Sequence, residues 1–531
     1  MTTCRCPEKR LARALRSRVA FRRLVTAGRL VAMLGIALLL AGPAAPLFAQ
    51  PAGGAGSPPL PGGNRPKPGG PRVPGQPKPG QAKPGASKTP ADDAQNQPVD
   101  KTKLPDGFVP QKPDHPAFTT DAEWVIEPLP DREARLQRTQ FSGLLTTGTF
   151  SGSEDEKSKQ LKLIADVVRA RLAAFTLKEN RETVQDLRVS FLKEIARNGR
   201  KADQGRQDVR QEVIAAVLKE LPELMKYHFI ARLNGVLLLS ELNEYEADGT
   251  INQPAVPLTA AHDRLLEIVR DGQQLEAIRV PAVIGLRRIL AEVPELKLAI
   301  RYKIVTELVK QLDASKQSGG EWFQYRLAES LGFAGVLDNQ DRQPVVVDAL
   351  GRLLIDADRP RLARVEAAYS FARLPLTNKV NVDKIAIEVA RLAQELGTQY
   401  QTEASSTTWN VVFLKLYVVF KPFEETEAKR AWGLVSQTSG KAQLRAYKPR
   451  VDEVFGLVLP LIKSAAPKRD PKALEASLGK LSQWLATYPR DAKPFVEGGA
   501  NMPVPKSVAS ATANSAAVGG PSSGPPGPVS K

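Results

Sequence analysis

His115, His228 and His262 are the three histidines of this 531-residue chain. His115 stands apart from the helical region, so the set cannot be assembled into a multi-histidine metal site. Ser190 with Lys193 and Ser477 with Lys480 satisfy the S-x-x-K spacing, which sets a hydroxyl one helical turn from an amine. The S-D-N and K-T-G elements that accompany this spacing in penicillin-recognising enzymes are missing from the folded part. No G-x-S-x-G elbow accompanies His228 or His262, and no phosphate-cradling G-x-x-x-x-G-K or dinucleotide fingerprint occurs. The run from Glu244 to Ile251 resembles a calcium loop, with alternating oxygen donors, a turning Gly249 and an apolar residue two places later. Its twelfth position, however, is Ala255 where a bidentate Glu belongs. The run therefore reads as an acidic inter-helix turn, and His228 and His262 as ordinary helix residues. Cys4 and Cys6 are the only thiols.

The elements that would position any chemistry are helices. In LLIDADRPRLARVEAAYSFARL, from Leu353 to Leu374, a helix starting at Arg361 carries a wide apolar arc, with Leu362, Val365, Ala368, Tyr369, Phe371 and Ala372. Glu366, Ser370 and Arg373 remain as a narrow wet strip. Arg364 falls within the apolar arc, where a guanidinium needs an acceptor, and Asp356 in the preceding turn is the candidate.

The construction recurs. Asp271 precedes Arg279 by the same eight residues, and Arg326 occupies the corresponding place in EWFQYRLAESLGFAGVL. Six residues after each Arg stands a small residue, Gly285, Gly332 or Ser370, which lets the next helix approach closely. HFIARLNGVLLLSEL keeps Gly235 but has Phe229 at the Arg position. The small positions step by about 50, 47 and 38 residues, a helix-pair spacing. These residues resemble the HEAT-repeat superfamily, in the variant reading leucines, Asp, a short turn, Val-Arg, Ala-Ala and a Leu-Gly-like pair. The resemblance implies an all-α chain folded as an α-solenoid that binds macromolecules along a concave face. It gives Asp271, Arg279, Gly285, Arg326, Gly332, Asp356 and Arg364 supporting roles.

The N-terminal 49 residues read as an address. Nine bases against one acid precede the apolar run Leu30 to Ala41, with a plausible cleavage after Ala49. An uncleaved anchor is the alternative, and Arg22-Arg23 suggests a twin-arginine signal whose following residues fit poorly. Cleavage would leave the mature chain without a thiol, and no Cys follows the run to carry a lipid. The net charge of +18 then falls to 66 bases against 56 acids beyond residue 49, weak support for a nucleic-acid partner. Residues 50–130 read as a disordered linker, first Pro/Gly/Lys-rich and then acidic. It is either a spacer or a tether to an anionic wall polymer or lipid.

From 131 to 496 helix follows helix. Pro222, Pro254, Pro294, Pro344, Pro360 and Pro375 mark boundaries, and Pro281 predicts a kink inside one helix. The helix from Trp409 to Phe420 is apolar nearly all round and should be centrally buried. Lys441, Arg445, Lys448, Arg450, Lys468, Arg469 and Lys472 form a candidate surface for an anionic partner. Residues 497–531 read as a disordered tail. These features predict an exported, periplasmic or envelope-located, non-enzymatic scaffold that binds a protein and needs no cofactor. Two alternatives stand: a polyanion tether, and an enzyme with a carboxylate-based site. Membrane association requires an uncleaved N-terminus.

Overall fold

A computed structural model describes residues 121–127, 129–316, 320–406, 408–423, 430, 432–465 and 470–503. The leader, most of the linker, and residues 504–531 lie outside the described residues. The described part is mainly helical. Its helices are α1 (Asp131–Thr147), α2 (Glu154–Ala173), α3 (Val184–Ile195), α4 (Asp208–Leu224), α5 (Phe229–Glu241), α6 (His262–Arg270), α7 (Glu276–Glu292) and α8 (Leu298–Ala314). They continue as α9 (Glu321–Leu331), α10 (Val345–Ile355), α11 (Arg361–Arg373), α12 (Val382–Thr402), α13 (Thr408–Phe420), α14 (Leu434–Gly440), α15 (Lys448–Ala465) and α16 (Pro471–Ala486). Two short antiparallel strands, β1 (Asn243–Tyr245) and β2 (Val256–Pro257), hold the connection between α5 and α6.

Each helix in the middle of the chain packs on its sequence neighbour and on the next but one. The series α3, α5, α7, α9, α11, α13 is in continuous contact, as is α6, α8, α10, α12. Between the two series lies one apolar core including Leu286, Leu308, Leu331, Leu350, Val365 and Val389. The small residues work as their spacing suggests. A methyl on Gly285 would come within 2.9 Å of Leu265 on α6 and of Ser240 on α5, and one on Gly332 within 2.7 Å of Ser370 on α11.

Four features differ from the sequence reading. First, α1 forms over residues that carry no strong apolar period: Phe141 and Leu145 alone are buried in it. Second, the fold begins before 131. Trp124 N–H donates to Thr176 Oγ1 at 2.7 Å, and its ring stacks on Tyr227. Third, it extends past 496. Phe495 is buried, its carbonyl accepts from Asn381 N–H at 2.8 Å, and Met502 is also enclosed. The assigned tail therefore contributes residues 497–503 to the packed part. Fourth, Pro222 does not end a helix but lies in the last turn of α4, where it leaves the Leu218 carbonyl without its intrahelical N–H donor. Pro281 lies inside α7.

Candidate functional site

The structure moves the arginine partners. Arg364 is buried, but its guanidinium does not meet Asp356. Its Nε donates to the Leu354 carbonyl at 3.1 Å and its Nη2 to Glu395 at 2.7 Å. Arg279 repeats the arrangement, with Nε on the Val269 carbonyl at 3.0 Å and Nη2 on Gln311 at 2.6 Å, away from Asp271. Leu354 and Val269 are each the penultimate residue of a helix, where carbonyls lack an intrahelical donor and the dipole is negative. A cation from the next helix answers that need better than a carboxylate could. The aspartates serve the turn instead: Asp356 accepts from Asp358 N–H at 3.2 Å, and Asp271 from Gln273 N–H at 2.9 Å.

Register also shifts in two copies. Arg279 and Arg364 are the fourth residues of their helices, and the fourth residues of α5 and α9 are Arg232 and Gln324. Arg232 donates to Gln274 at 2.5 Å, and Gln324 donates to the Ser315 carbonyl at 3.1 Å while accepting from Arg359. The first copy therefore does have its Arg, three residues after Phe229. Arg326 lies two residues out of register, released from the supporting role. It pairs with Glu329 at 2.6 Å and stacks on Trp322 and Tyr325.

That displaced arginine belongs to a cationic and aromatic face running across α7, α9, α11 and α13. Its centre is Glu366, fully enclosed and bonded to both Arg373 and Lys415. The expected wet strip on α11 is absent: Glu366, Ser370 and Arg373 are all buried, because α9, α10, α12 and α13 close around the helix. Burial alone would raise the Glu366 carboxyl, but the Lys415 ammonium and Arg373 guanidinium hold it below the usual carboxylate range. Burial alone would lower Lys415, and Glu366 more than reverses this. Lys415 also lies 5.1 Å from the Tyr325 ring, and burial beside Glu366 pushes the Tyr325 phenol up. Arg373 stacks at 4.3 Å on Tyr369 and 4.7 Å on Phe333. Phe333 meets Trp432 edge-on at 5.6 Å.

The outer part of this face is apolar. Trp322 is 51% exposed, Val411 47% and Leu414 38%. The last two correct the expectation of a centrally buried α13: α11, α12, α14 and α15 pack against it, and its apolar circumference exceeds what these described neighbours bury.

The anticipated surface for an anionic partner does not form one free cluster. Lys441 turns inward to Gln437 at 2.8 Å, and burial lowers its pKa. Lys448 pairs with Asp452, and Arg450 with Glu453 at 2.5 Å. Lys468 and Arg469 lie outside the described residues, leaving Arg445 and Lys472 exposed. The acidic turn is engaged internally: Arg210 donates to the Glu244 carbonyl and to Glu246, and Asp248 accepts from Thr250. His228 caps α5, accepting from Ala231 N–H, and its other nitrogen lies 3.1 Å from the Thr176 carbonyl. His262 lies 2.9 Å from the Thr259 carbonyl. Ser477 donates to the Ala473 carbonyl at 2.7 Å. Among the described residues no cluster of three His, Cys, Asp or Glu side chains could hold a metal, and no helix is long and apolar enough to cross a membrane.

No protein-family model, curated protein or solved structure matches this chain, so the chemistry of the face is read from its own residues.

Proposed function

We propose that the chain is a HEAT-like α-solenoid scaffold of the cell envelope. It binds a protein partner along the face formed by α7, α9, α11 and α13. The observation that carries this reading is the combination of exposed Trp322, Val411 and Leu414 with a buried charge network immediately beneath them. Aromatic and apolar side chains on a surface held rigid by charged bonds are the composition of a binding hot spot. Lys415 supports a concave shape. It projects from α13 to within 5.1 Å of a ring on α9 although α11 lies between them, a reach that helices converging on this side would favour.

Export and envelope location rest on the basic, then apolar, first 49 residues. The polyanion alternative keeps less support, since only Arg445 and Lys472 of the described cluster stand exposed.

The test is site-specific cross-linking in cells. A photoreactive residue replaces Trp322 or Val411, and in a control it replaces Lys310 on α8 of the other series. The scaffold reading expects one discrete adduct from positions 322 and 411 and none from 310. Adducts from 310 alone, or none from any position, would overturn it.

A further inference from the structure

At one end of the face, where α7 and α9 finish, Arg287, Ala291, Glu292, Phe333, Arg430 and Trp432 enclose a cleft of about 210 Å³. Drug-sized ligands and cofactors occupy larger sites, typically above about 300 Å³. This cleft has the capacity of one side chain.

Its charges are unbalanced. Arg287 lies over the Phe333 ring at 5.5 Å and Arg430 over the Trp432 ring at 5.2 Å. Among the described residues neither guanidinium has an acidic partner, and Arg287 Nε is buried without a hydrogen-bond acceptor. The other charged groups nearby have ionic partners, although the Arg373 Nε, like that of Arg287, is buried without an acceptor. Arg373 is taken by Glu366, and Glu292 is met by Arg288 at 3.4 Å. Carbonyls at the ends of α7 and α9 have donors too: Leu290 accepts from Arg301 at 3.4 Å and Ala328 from Ser370 Oγ at 2.8 Å. Arg287 and Arg430 are therefore not needed to neutralise helix ends. Two planar, permanently charged donors fixed against aromatic faces match a carboxylate, while the rings accept its aliphatic stem.

We propose that this cleft receives the carboxylate of an acidic side chain on the bound polypeptide. The proposal rests on the scaffold reading and names what the partner must present.

The test uses the full chain and a fluorescein-labelled, amidated short peptide with one glutamate in an alanine background, followed by fluorescence anisotropy. Three companion probes carry glutamine at that place, a free C-terminal carboxylate after phenylalanine, or the amide of that same end. The glutamate peptide is expected to bind at least tenfold more tightly than the glutamine peptide. Arg287→Gln with Arg430→Ala should abolish that difference, and Arg430→Ala alone, at an exposed residue, should reduce it without a change in melting temperature. Equal affinity for the glutamate and glutamine peptides overturns the proposal. A preference for the free C-terminus over its amide, with none for glutamate, reassigns the site to chain ends and also overturns it. Glutamate binding that appears only after Glu424, Glu425 and Glu427 are changed to Gln assigns the carboxylate to this chain, and overturns the partner assignment. Cross-linking at 322 and 411 reports independently on the scaffold, so the cleft assignment can fail while the scaffold survives.

Discussion

Changing Glu366 to Gln removes one negative charge from the centre of the face and leaves two cations behind. The Arg373 side chain is 4% exposed and that of Lys415 is 16% exposed, so neither can recover its hydration without moving. Breaking a buried ion pair from one side costs about 3–5 kcal/mol, chiefly the penalty of the stranded charge. The amide retains volume and one acceptor, so packing loss contributes little. For a cooperative unit the size of residues 121–503, that cost corresponds to a fall in melting temperature of about 4–6 °C. The assay is thermal unfolding by circular dichroism, with denaturant unfolding to check that the slope is unchanged. A second variant isolates the cause. Glu366→Gln with Lys415→Met removes one stranded cation, and Arg373 keeps Ser370 Oγ at 2.8 Å, so part of the loss should return. Glu366→Gln within about 1 °C of the wild type would refute the reasoning, as would a double variant that melts lower than the single one.

Further outcomes follow from the same geometry. Arg364→Ala should cost about 1.5–3 kcal/mol by leaving the Leu354 carbonyl without its charged donor and Glu395 with Arg490 alone. Asp356→Ala should cost only about 1 kcal/mol, since its nearer partner Lys316 is half exposed and the buried Arg359, 3.6 Å away, keeps Gln324 and the Leu312 carbonyl; equal losses in denaturant titrations would restore the Asp356 pairing. Phe495→Ala should cost about 3–5 kcal/mol because the ring is fully buried against Phe371, and a loss below about 1 kcal/mol would show that residues 491–502 are not part of the cooperative unit. Stability should depend on pH at both ends. The lowered Glu366 carboxyl contributes stability that is present above its unfolded value and lost as pH falls through its folded one. The raised Lys415 ammonium contributes stability that is present below its unfolded value and lost as pH rises through its folded one. Burial lowers the His228 imidazole, so stability should also fall as pH drops from the ordinary imidazole range toward its folded value; His228→Gln should remove that segment of the pH titration.

The helices were legible because their apolar period is strong and prolines and turn residues punctuate it; the segment from Arg361 to Arg373 was placed almost to the residue. Burial on all sides was not, since a helical wheel places polar residues toward water and cannot know that neighbouring helices enclose Glu366. The arginine positions were visible, but their acceptors were not. A backbone carbonyl has no sequence signature, and Asp356, the obvious acid, was already committed to its own turn. Counting from each helix start, rather than from the following glycine, would have found Arg232 and Gln324 and set Arg326 free. The cleft at Phe333 and Trp432 joins residues about a hundred positions apart, a proximity that no local pattern carries.

The most direct test of the scaffold reading is the affinity of the purified cross-linked partner for the full chain and for Trp322→Ala with Val411→Ser. The account predicts a loss of at least tenfold, about 1.4 kcal/mol, with an unchanged melting temperature. Undiminished affinity would mean that the partner binds elsewhere, and that the exposed residues on α9 and α13 are not its docking surface.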